Sequence, residues 1–334
     1  MRRAARAPRL RDAAGALALL IAGLAAGLAL LAQGGRFSAR LDVFSHPAPL
    51  YLAAALAAAA LALIGAARLR RVGLGLAILG AILSAALILP EFLRDTGPVA
   101  APGAPGQIKV IEFNARRSNQ RFQEIADWLA SEHPDVVVLE EANTVLADTV
   151  LFRMGWRGAA GRIRDSLILT PRPYEAMNRP IVDPRSKLTF VNATYRDAQG
   201  PFDVVVTHLV WPGPAQARQR ATLHAVLASL PTDRTILAGD FNSTSWSFAR
   251  RQDDRTFGLV RRDRAFWSWP ADVGRAGNTL FPFPLLPIDH LYAGPGWATV
   301  SVRRGPPLGS DHYPLVVTLA PVARDGPRPG SPER

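Results

Sequence analysis

Polar residues of a few types recur at the ends of apolar, strand-like segments in the second two thirds of the chain. Asn114 follows the segment that ends at Phe113, and Glu140 and Glu141 end a valine-rich run. The same pattern returns at His208 and in three short groups, Gly239-Asp240-Phe241-Asn242, Ile288-Asp289-His290 and Ser310-Asp311-His312. Because sites in α/β folds form at the edge where strands end, these side chains are candidates for one common site.

The carboxylates and amides in this set suit a hard divalent cation. Oxygen ligands are what Mg²⁺ prefers, and it needs only one or two carboxylates because it keeps several waters. Glu141 and Asp311 are therefore candidate metal ligands. Asp240 and Asn242 stand two residues apart on a segment predicted to be extended, so their side chains should face the same way. One could orient a water molecule while the other donates to a phosphate oxygen.

The imidazoles supply donors and proton carriers. His208 and His312 can donate to a phosphate oxygen or shuttle a proton, and Asp289 can orient an imidazole as a triad carboxylate does. His290 is expected to have a structural or supporting role. Taken singly, a strand-end Asp or Asn is most often a turn former, so the interpretation depends on the whole set and its order.

Several other chemistries are excluded by the composition. The chain has no cysteine, which excludes a disulfide framework, a cysteine zinc site, an iron–sulfur cluster and a thiol nucleophile. It has no G-x-S-x-G elbow, no Walker A motif and no G-x-G-x-x-G. The net charge of +12 comes from 39 basic against 27 acidic residues and would favour a nucleic-acid partner, but much of the excess lies in the apolar N-terminal part.

Helix-like and strand-like segments alternate between residues 108 and 319, which predicts an α/β domain. Helical spacing marks Arg121–Ser131 and Pro214–Leu230. Strands are predicted at Ile108–Phe113, Asp135–Leu139, Ser166–Thr170, Leu188–Tyr195, Asp203–His208, Thr235–Ala238, Ile288–Tyr292, Ala298–Arg303 and Leu315–Leu319. The domain is placed at residues 108–320, a length that supports one sizeable core.

The first 95 residues are predicted to form a membrane anchor. Three apolar runs without charge, at about residues 13–32, 47–67 and 72–90, are each long enough to cross a bilayer and lack a polar face. They carry no ionisable residue of the kind that lines transport pathways, so an anchor is favoured over a channel. Clusters of arginine precede the first run and separate the second from the third. By the positive-inside rule the N-terminus is cytoplasmic, and residues beyond 94 lie on the periplasmic side of the inner membrane.

Two segments of small residues, proline and glycine flank the α/β domain. Residues 96–107 include GPVAAPGAPG, which favours neither helix nor strand and is interpreted as a short linker. Residues 321–334 have the same character and are predicted to be a disordered tail.

The order of these motifs resembles the endonuclease/exonuclease/phosphatase superfamily. The resemblance rests on Asn114, Leu139-Glu140-Glu141, Thr207-His208, Gly239-Asp240-Phe241-Asn242, Ile288-Asp289-His290 and Ser310-Asp311-His312-x-Pro314, and it spans residues 108–319. It implies a four-layer α/β/β/α sandwich of two mixed β-sheets, here preceded by three transmembrane helices. The superfamily includes deoxyribonucleases, abasic-site endonucleases, sphingomyelinases and inositol-polyphosphate phosphatases.

The resemblance also implies a role for each matching residue. Catalytic roles would fall to His208, Asp240, Asn242, Asp289 and His312. The ligands of a Mg²⁺ or Mn²⁺ cofactor would be Glu141, Asp311 and Asn114. Supporting positions would be Asn119, Glu140, His290 and Ser310. The expected reaction is attack of water on phosphorus, with the cation stabilising the added charge. Glu140 replaces a more usual glutamine, and Arg116 replaces an acid of the abasic-site enzymes, which disfavours DNA repair.

The substrate is left open by the sequence. The expected function is that of a membrane-anchored phosphodiesterase or nuclease, and the alternative is hydrolysis of a phospholipid or other envelope phosphodiester. A catalytically silent binding module is the remote alternative. A basic stretch with nearby aromatics either follows a nucleic-acid backbone and stacks bases or is an amphipathic helix plus a strand with solvated arginines. It comprises Arg250, Arg251, Arg255, Arg261, Arg262, Arg264, Phe266, Trp267 and Trp269. The partners expected are a phosphate-ester substrate, nucleic acid or lipid headgroup, and the lipid bilayer.

Overall fold

The computed structural model describes residues 6–156, 159–163, 166–178, 185–271 and 283–322. Its helices are α1 (Arg6–Gln33), α2 (Ala48–Ile64), α3 (Ala67–Leu93), α4 (Phe122–Glu132), α5 (Thr144–Met154), α6 (Pro214–Leu227) and α7 (Phe248–Thr256). Most of the predicted tail, from residue 323 onward, lies outside the described residues.

Twelve strands are present in the described residues. They are β1 (Ile108–Asn114), β2 (Val136–Glu140), β3 (Ala159–Ile163), β4 (Ser166–Leu169), β5 (Ala176–Asn178), β6 (Thr189–Asp197), β7 (Gly200–His208), β8 (Thr235–Asp240), β9 (Val260–Arg261), β10 (Asp289–Ala293), β11 (Trp297–Arg304) and β12 (Leu315–Pro321).

The strands form two mixed sheets of six strands each, as the α/β prediction required. The first sheet has the order β11-β12-β1-β2-β4-β3 and the second β5-β6-β7-β8-β10-β9. Only β1 with β2 and β7 with β8 pair in parallel; the other neighbours are antiparallel.

The central strands are buried on both faces, which explains their continuous apolar runs. In β2, Val136 and Val138 belong to the core between the two sheets. The alternate residues Val137 and Leu139 pack with the apolar faces of α4 and α5 on the outer side. A third cluster packs α6 on the outer face of the second sheet, so two sheets lie between two layers of helix.

Short elements with little apolar periodicity were not foreseen from the sequence. They include the strands β3 and β5 and the helix α5, whereas α7 and β9 lie where a helix and a strand were one interpretation of the basic stretch. Helix α7 is largely charged, so no hydrophobic stripe marks it. It is defined instead by capping, since the Ser247 side chain accepts from the Arg250 N–H at 3.1 Å.

The N-terminal helices only partly match the three predicted spans. Two stretches, Leu10–Arg36 and Ala67–Leu93, are long and apolar enough to cross a membrane. The helix in the region of the second predicted span, Ala48–Ile64, has 17 residues and ends three residues before that span does. Two of the three expected transmembrane helices are therefore supported, by length and composition. The third stays a prediction.

The helical segment, residues 6–95, packs directly against the α/β domain. Trp246 is fully buried among Ala32, Ala48 and Leu87 at the ends of the three helices. The proline-rich segment that follows also contacts the domain, because Val99 forms a bridge with Thr299 of β11. The N–H of Ala100 donates to the Thr299 carbonyl at 2.9 Å.

The basic stretch forms the helix α7 and the strand β9, as its second interpretation expected, but several of its arginines are buried and not solvated. Arg250, Arg261 and Arg262 are at most 3% exposed, so they present no charged face to solvent or to a polyanion. Arg250 pairs with Asp253, and Arg262 donates to the carbonyls of strands β10 and β11 and their connection.

The remaining arginines of the stretch mostly point toward the helical segment. Arg251 and Arg264 donate to backbone carbonyls near the end of α3, whereas Arg255 is exposed. The stretch is thus largely an internal contact between the two parts of the chain. Sequence spacing could not reveal this, because the partners lie more than 150 residues away.

Candidate active site

The polar strand ends converge at one edge of the sandwich. Asn114 ends β1 beside Glu140 at the end of β2, its parallel neighbour. In the second sheet His208 ends β7 beside Asp240 at the end of β8. Strand β10 runs antiparallel to β8, so its first residue, Asp289, pairs with Asp240 at this same edge.

A cavity of about 500 Å³ opens between these strand ends. Six of the predicted residues line it: Glu141, His208, Asp240, Asn242, Asp311 and His312. Its other walls are Lys187, Thr189, Leu209, Val210, Trp211, Gln219 and Trp269. The structure therefore brings together most of the residues predicted to act on substrate or metal.

His312 and Asp289 form a buried pair at the base of the site. The Nδ1 atom of His312 lies 2.9 Å and 3.1 Å from the two carboxylate oxygens of Asp289. Burial alone would lower the pKa of His312, but the carboxylates of Asp289 and Asp240 raise it to about 10. At neutral pH the ring is an imidazolium whose Nε2–H is free to donate toward the cavity.

Asp240 lies at the centre of the polar groups. One of its oxygens accepts from the Asn114 side-chain amide at 3.0 Å, and the other accepts from the Asn242 N–H at 2.7 Å. The Nε2 atoms of His208 and His312 lie 3.6 Å and 3.9 Å from it. Burial and the nearby Asp289 raise the pKa of Asp240, which suits a group that accepts a proton from water.

Asn242 faces Asp240 for a different reason from the one expected. The segment is not extended there, because Asn242 has a positive φ of 49° and turns the chain back. Its side-chain nitrogen donates to the Leu209 carbonyl at 2.8 Å and to Asp240 at 3.2 Å, and it lies 3.5 Å from His208 Nε2.

The predicted metal ligands occupy one side of the cavity. Glu141 accepts from the Asn114 side chain at 3.3 Å and is about one third exposed. Asp311 accepts from the Trp269 indole at 3.3 Å and lies 4.0 Å from the Arg116 guanidinium. This set of carboxylate and amide oxygens suits Mg²⁺ or Mn²⁺.

A second grouping could also hold a cation. Asp240, Asp289 and His312 offer ligand atoms within 4.8 Å of one another. The Nδ1 atom of His312 is already bonded to Asp289, so this group would need to rearrange to bind a metal. Glu141 differs from this group in being about one third exposed to the cavity.

The four supporting residues have different positions. Ser310 donates to the Asn114 carbonyl at 2.7 Å and accepts from the His312 N–H at 3.1 Å, so it fixes the His312 loop to β1. His290 lies behind Asp289, between Asp263 at 2.8 Å and the Ser243 carbonyl at 3.0 Å. Asn119 bonds to backbone outside the cavity, including the Leu308 carbonyl at 2.9 Å.

Glu140 points into the core between the sheets, beside a glutamate that sequence reasoning did not select. Glu112 and Glu140 are both fully buried, and no other described residue offers either carboxyl group a hydrogen bond. Burial and the charge of Asp289 raise the pKa of both groups well above the usual range. The burial of Glu112 could have been predicted from the alternation of side chains along β1. Residues two apart share a face of a strand, so Glu112 lies on the same inward face as Ile108 and Val110.

Lys187 and Trp211 at the rim were also missed. Lys187 is exposed and lines the cavity, where its ammonium can meet a phosphate oxygen. The sequence feature that could have singled out Lys187 is that lysine is rare in this chain, since Lys109 is the only other one. Trp211 is 61% exposed and packs edge-on against Trp269, with ring centroids 6.2 Å apart.

A family model for the Endonuclease/Exonuclease/phosphatase family matches residues 106–312. The match covers more than half of the chain, and the chain belongs to this family. It confirms the resemblance drawn from the motifs. Members of the family hydrolyse phosphoesters with a divalent metal.

Solved structures with a similar fold are distant in sequence. A Bacteroides vulgatus endonuclease/exonuclease/phosphatase is 14% identical, covering 65% of this chain and 99% of its own, with a TM-score of 0.53. A Bacteroides thetaiotaomicron mannosyl-6-phosphatase is 14% identical over 64% and 99%, with a TM-score of 0.52. A humanized D. rerio TDP2 is 16% identical over 64% and 99%, also with a TM-score of 0.52. No curated protein matches the chain.

Proposed function

We propose that this protein is a membrane-anchored, divalent-metal-dependent phosphoesterase that hydrolyses P–O bonds with an activated water, most simply those of a phosphodiester. One observation carries the proposal: a single cavity is lined by His312, whose ring bonds the buried Asp289, by a second imidazole, by Asp240 and by the carboxylates of Glu141 and Asp311. A silent binding module would not need this complete set.

The roles of the side chains follow from their bonds. Asp240, held by Asn114 and Asn242, orients the attacking water and takes its proton. The imidazolium of His312 donates to a non-bridging phosphate oxygen, while Asp289 keeps that ring charged and oriented. Asn242 and His208, which also lie next to Asp240, would donate to further phosphate oxygens.

The metal would be held by Glu141, Asn114 and Asp311. When bound, a Mg²⁺ or Mn²⁺ ion stabilises the negative charge that develops on the phosphate oxygens.

The helical segment is proposed to be an inner-membrane anchor with three crossings. Support comes from the apolar composition of its helices and from the arginines that precede the first and separate the second from the third. This arrangement places the catalytic domain on the periplasmic side.

Two substrate classes are considered, because the cavity wall suits a phosphodiester of either kind. A nucleic acid would use Lys187 for the backbone and the indole of Trp211 for base stacking. A lipid phosphodiester is favoured by a separate observation: Val210 and Trp211 are exposed at the rim, and the next residue, Pro212, lines a cavity together with the loop that follows α1.

The deciding experiment uses the full chain in nanodiscs with Mg²⁺ or Mn²⁺ and an EDTA control. The panel is plasmid DNA, single-stranded DNA, RNA, sphingomyelin, a phosphoinositide, bis-p-nitrophenyl phosphate and p-nitrophenyl phosphate. Metal-dependent cleavage of DNA or RNA that is lost in His312→Ala identifies a nuclease. Turnover of lipid with nucleic acid untouched identifies an envelope lipid hydrolase. No metal-dependent turnover of any phosphoester would contradict the proposed function.

A further inference from the structure

The loop between α1 and α2 is buried against the catalytic domain although it joins two apolar helices. Its polar residues Asp42, Ser45 and His46 are 4%, 0% and 6% exposed. Burial of polar groups is unfavourable unless they are hydrogen-bonded. The hydrogen bonds of these three residues therefore show which part of the domain the loop binds.

Asp42 binds the start of α7. Its two carboxylate oxygens accept from the N–H groups of Phe248 at 2.9 Å and Ala249 at 2.8 Å. These are N-terminal amides of the helix, which have no partner inside it and favour a negative charge. The Ser45 hydroxyl donates to the same carboxylate at 2.9 Å and fixes its orientation.

His46 binds the backbone ahead of that helix. Its Nδ1 atom accepts from the Thr244 N–H at 3.1 Å and lies 3.0 Å from the Thr244 hydroxyl oxygen. Burial lowers the pKa of His46 to about 4, so the ring is neutral and Nδ1 can accept. The Trp246 indole donates to the carbonyls of Ser45 at 3.0 Å and His46 at 3.1 Å.

The segment held in this way begins at the active site. Thr244 lies two residues after Asn242, whose positive φ turns the chain at the cavity. Asn242 is tied on one side to Asp240 and Leu209. On its other side Ser243 is held within the domain by Gln216 at 2.8 Å and by His290 at 3.0 Å, and Thr244 is held by His46. His46 is therefore the contact from the helical segment that helps to fix the chain after Asn242.

The end of α3 reaches the opposite side of the same site. Glu91 is 3% exposed, pairs with Arg261 at 2.7 Å and accepts from the Ala265 N–H at 3.0 Å. Arg261 lies 3.6 Å from Asp263, which binds the His290 imidazole at 2.8 Å. His290 directly follows Asp289 in the sequence. This chain of contacts from the helical segment therefore ends next to Asp289.

We propose that His46, supported by Asp42 of the same loop and by Glu91 at the end of α3, is a positioning residue of the active site. The helical segment then sets the geometry of residues 241–249, in addition to anchoring the chain. The kinetic part of this inference rests on the proposed phosphoesterase function, whereas the structural part can be measured without any turnover.

The experiment compares His46→Asn with His46→Gln in the full chain in nanodiscs. An asparagine can place its oxygen near the position of Nδ1, whereas the oxygen of a glutamine reaches the position of Nε2 and leaves the Thr244 N–H without an acceptor. Val43→Ala is the matched control, because Val43 lies in the same loop and is 43% exposed. The readouts are amide hydrogen exchange over residues 241–249, the thermal unfolding midpoint, and hydrolysis of bis-p-nitrophenyl phosphate.

His46→Gln is expected to speed exchange over residues 241–249 and to lower kcat about tenfold to a hundredfold. Its half-saturating Mg²⁺ concentration should stay unchanged, because Glu141 is not involved. His46→Asn should restore both exchange and kcat, and Val43→Ala should match the wild type. A role confined to stability would lower the unfolding midpoint of His46→Gln without changing kcat of the folded enzyme.

Wild-type exchange and kcat in His46→Gln would overturn the inference. If His46→Gln does not fold, Asp42→Asn serves in its place, because it keeps the shape of the side chain and removes one acceptor of the α7 amides. An enzyme that turns over no phosphoester would contradict the proposed function alone, since the exchange comparison would still decide whether the loop positions Asn242.

Discussion

The charge of His312 is the property on which the site depends at the scale of single residues. A buried imidazole normally loses its proton, yet the carboxylates of Asp289 and Asp240 raise its pKa to about 10. The ring therefore keeps two donors, one for Asp289 and one for the cavity. In the proposed reaction it would act as a donor that is fixed before the substrate arrives.

His312→Ala is expected to lower kcat for bis-p-nitrophenyl phosphate by about 10² to 10⁴. The variant removes the donor and leaves Asp289 as a buried carboxylate without its partner. The measurement is the initial rate at saturating Mg²⁺. His224→Ala is the control, because His224 is an exposed histidine near the end of α6 and should retain the wild-type rate. Equal rates for both variants would show that His312 has no role in catalysis.

Glu141→Gln should act on metal affinity. A neutral amide replaces the carboxylate that is about one third exposed in the cavity, so the Mg²⁺ concentration for half-maximal rate should rise about tenfold or more. A Mg²⁺ titration of the rate measures this. Glu124→Gln, on the exposed side of α4, should give the wild-type curve. An unchanged curve for Glu141→Gln would indicate that Glu141 is not a metal ligand and that Asp240, Asp289 and His312 bind the metal instead.

At the scale of elements, the connection between β9 and β10 depends on Asp263. Burial alone would raise the pKa of this carboxyl group, but the His290 imidazole and the Arg261 guanidinium hold it well below its usual range. It bonds both the His290 ring at 2.8 Å and the Leu291 N–H at 3.0 Å. A group with a lowered pKa stabilises the fold above its unfolded pKa of about 4 and loses that effect as the pH falls further.

Asp263→Asn should destabilise the protein by about 3 kcal/mol at pH 7, because it breaks a buried ion pair. The difference from wild type should shrink as the pH falls below about 4, where the wild-type carboxyl begins to take up its proton. Thermal unfolding midpoints across a pH series test both statements. Asp148→Asn, an exposed position on α5, is the control. A difference that stays constant with pH would show that the charge of Asp263 is not involved.

The two sheets bring the site residues together because parallel pairs end at the same edge. Asn114 and Glu140 close the first sheet, and His208 and Asp240 close the second. Apolar runs ending in polar residues predicted this edge. The sequence did not reveal that Glu140 turns inward while Glu141 faces the cavity, since that depends on the left-handed backbone of Glu141, with φ 51°.

At the scale of the whole molecule, the catalytic domain and the helical segment share a buried surface. Arg261, Glu91 and Asp42 lie in it with almost no exposure. Charges buried between two parts of a chain are costly unless both partners are in place. The two parts are therefore expected to fold and act as one unit.

Membrane topology gives the prediction at this scale. Alkaline phosphatase fused after residue 105 should be active, because the proposed orientation exports everything beyond the third helix. A green fluorescent protein fusion at the same position should be dark, and the same two reporters joined after residue 70 should give the reverse pattern. A fluorescent fusion after residue 105 with no phosphatase activity would contradict the periplasmic placement.

The sequence alone determined the family, nine of the twelve described strands and six of the thirteen residues that line the cavity. Patterns of this kind are local: an apolar run predicts a strand, and a polar residue at its end marks a site edge. Asp240, Asp289 and His312 were accessible to such reasoning because each sits in its own short motif.

Only the tertiary structure decided where the arginines of residues 250–264 point and what the loop between α1 and α2 does. Arg261 has the sequence context of a solvated residue, but Glu91 lies 170 positions away and pairs with it. His46 lies 198 positions from Thr244. Partners at such separations leave no periodic trace in the sequence, because folding of the whole chain creates the contact.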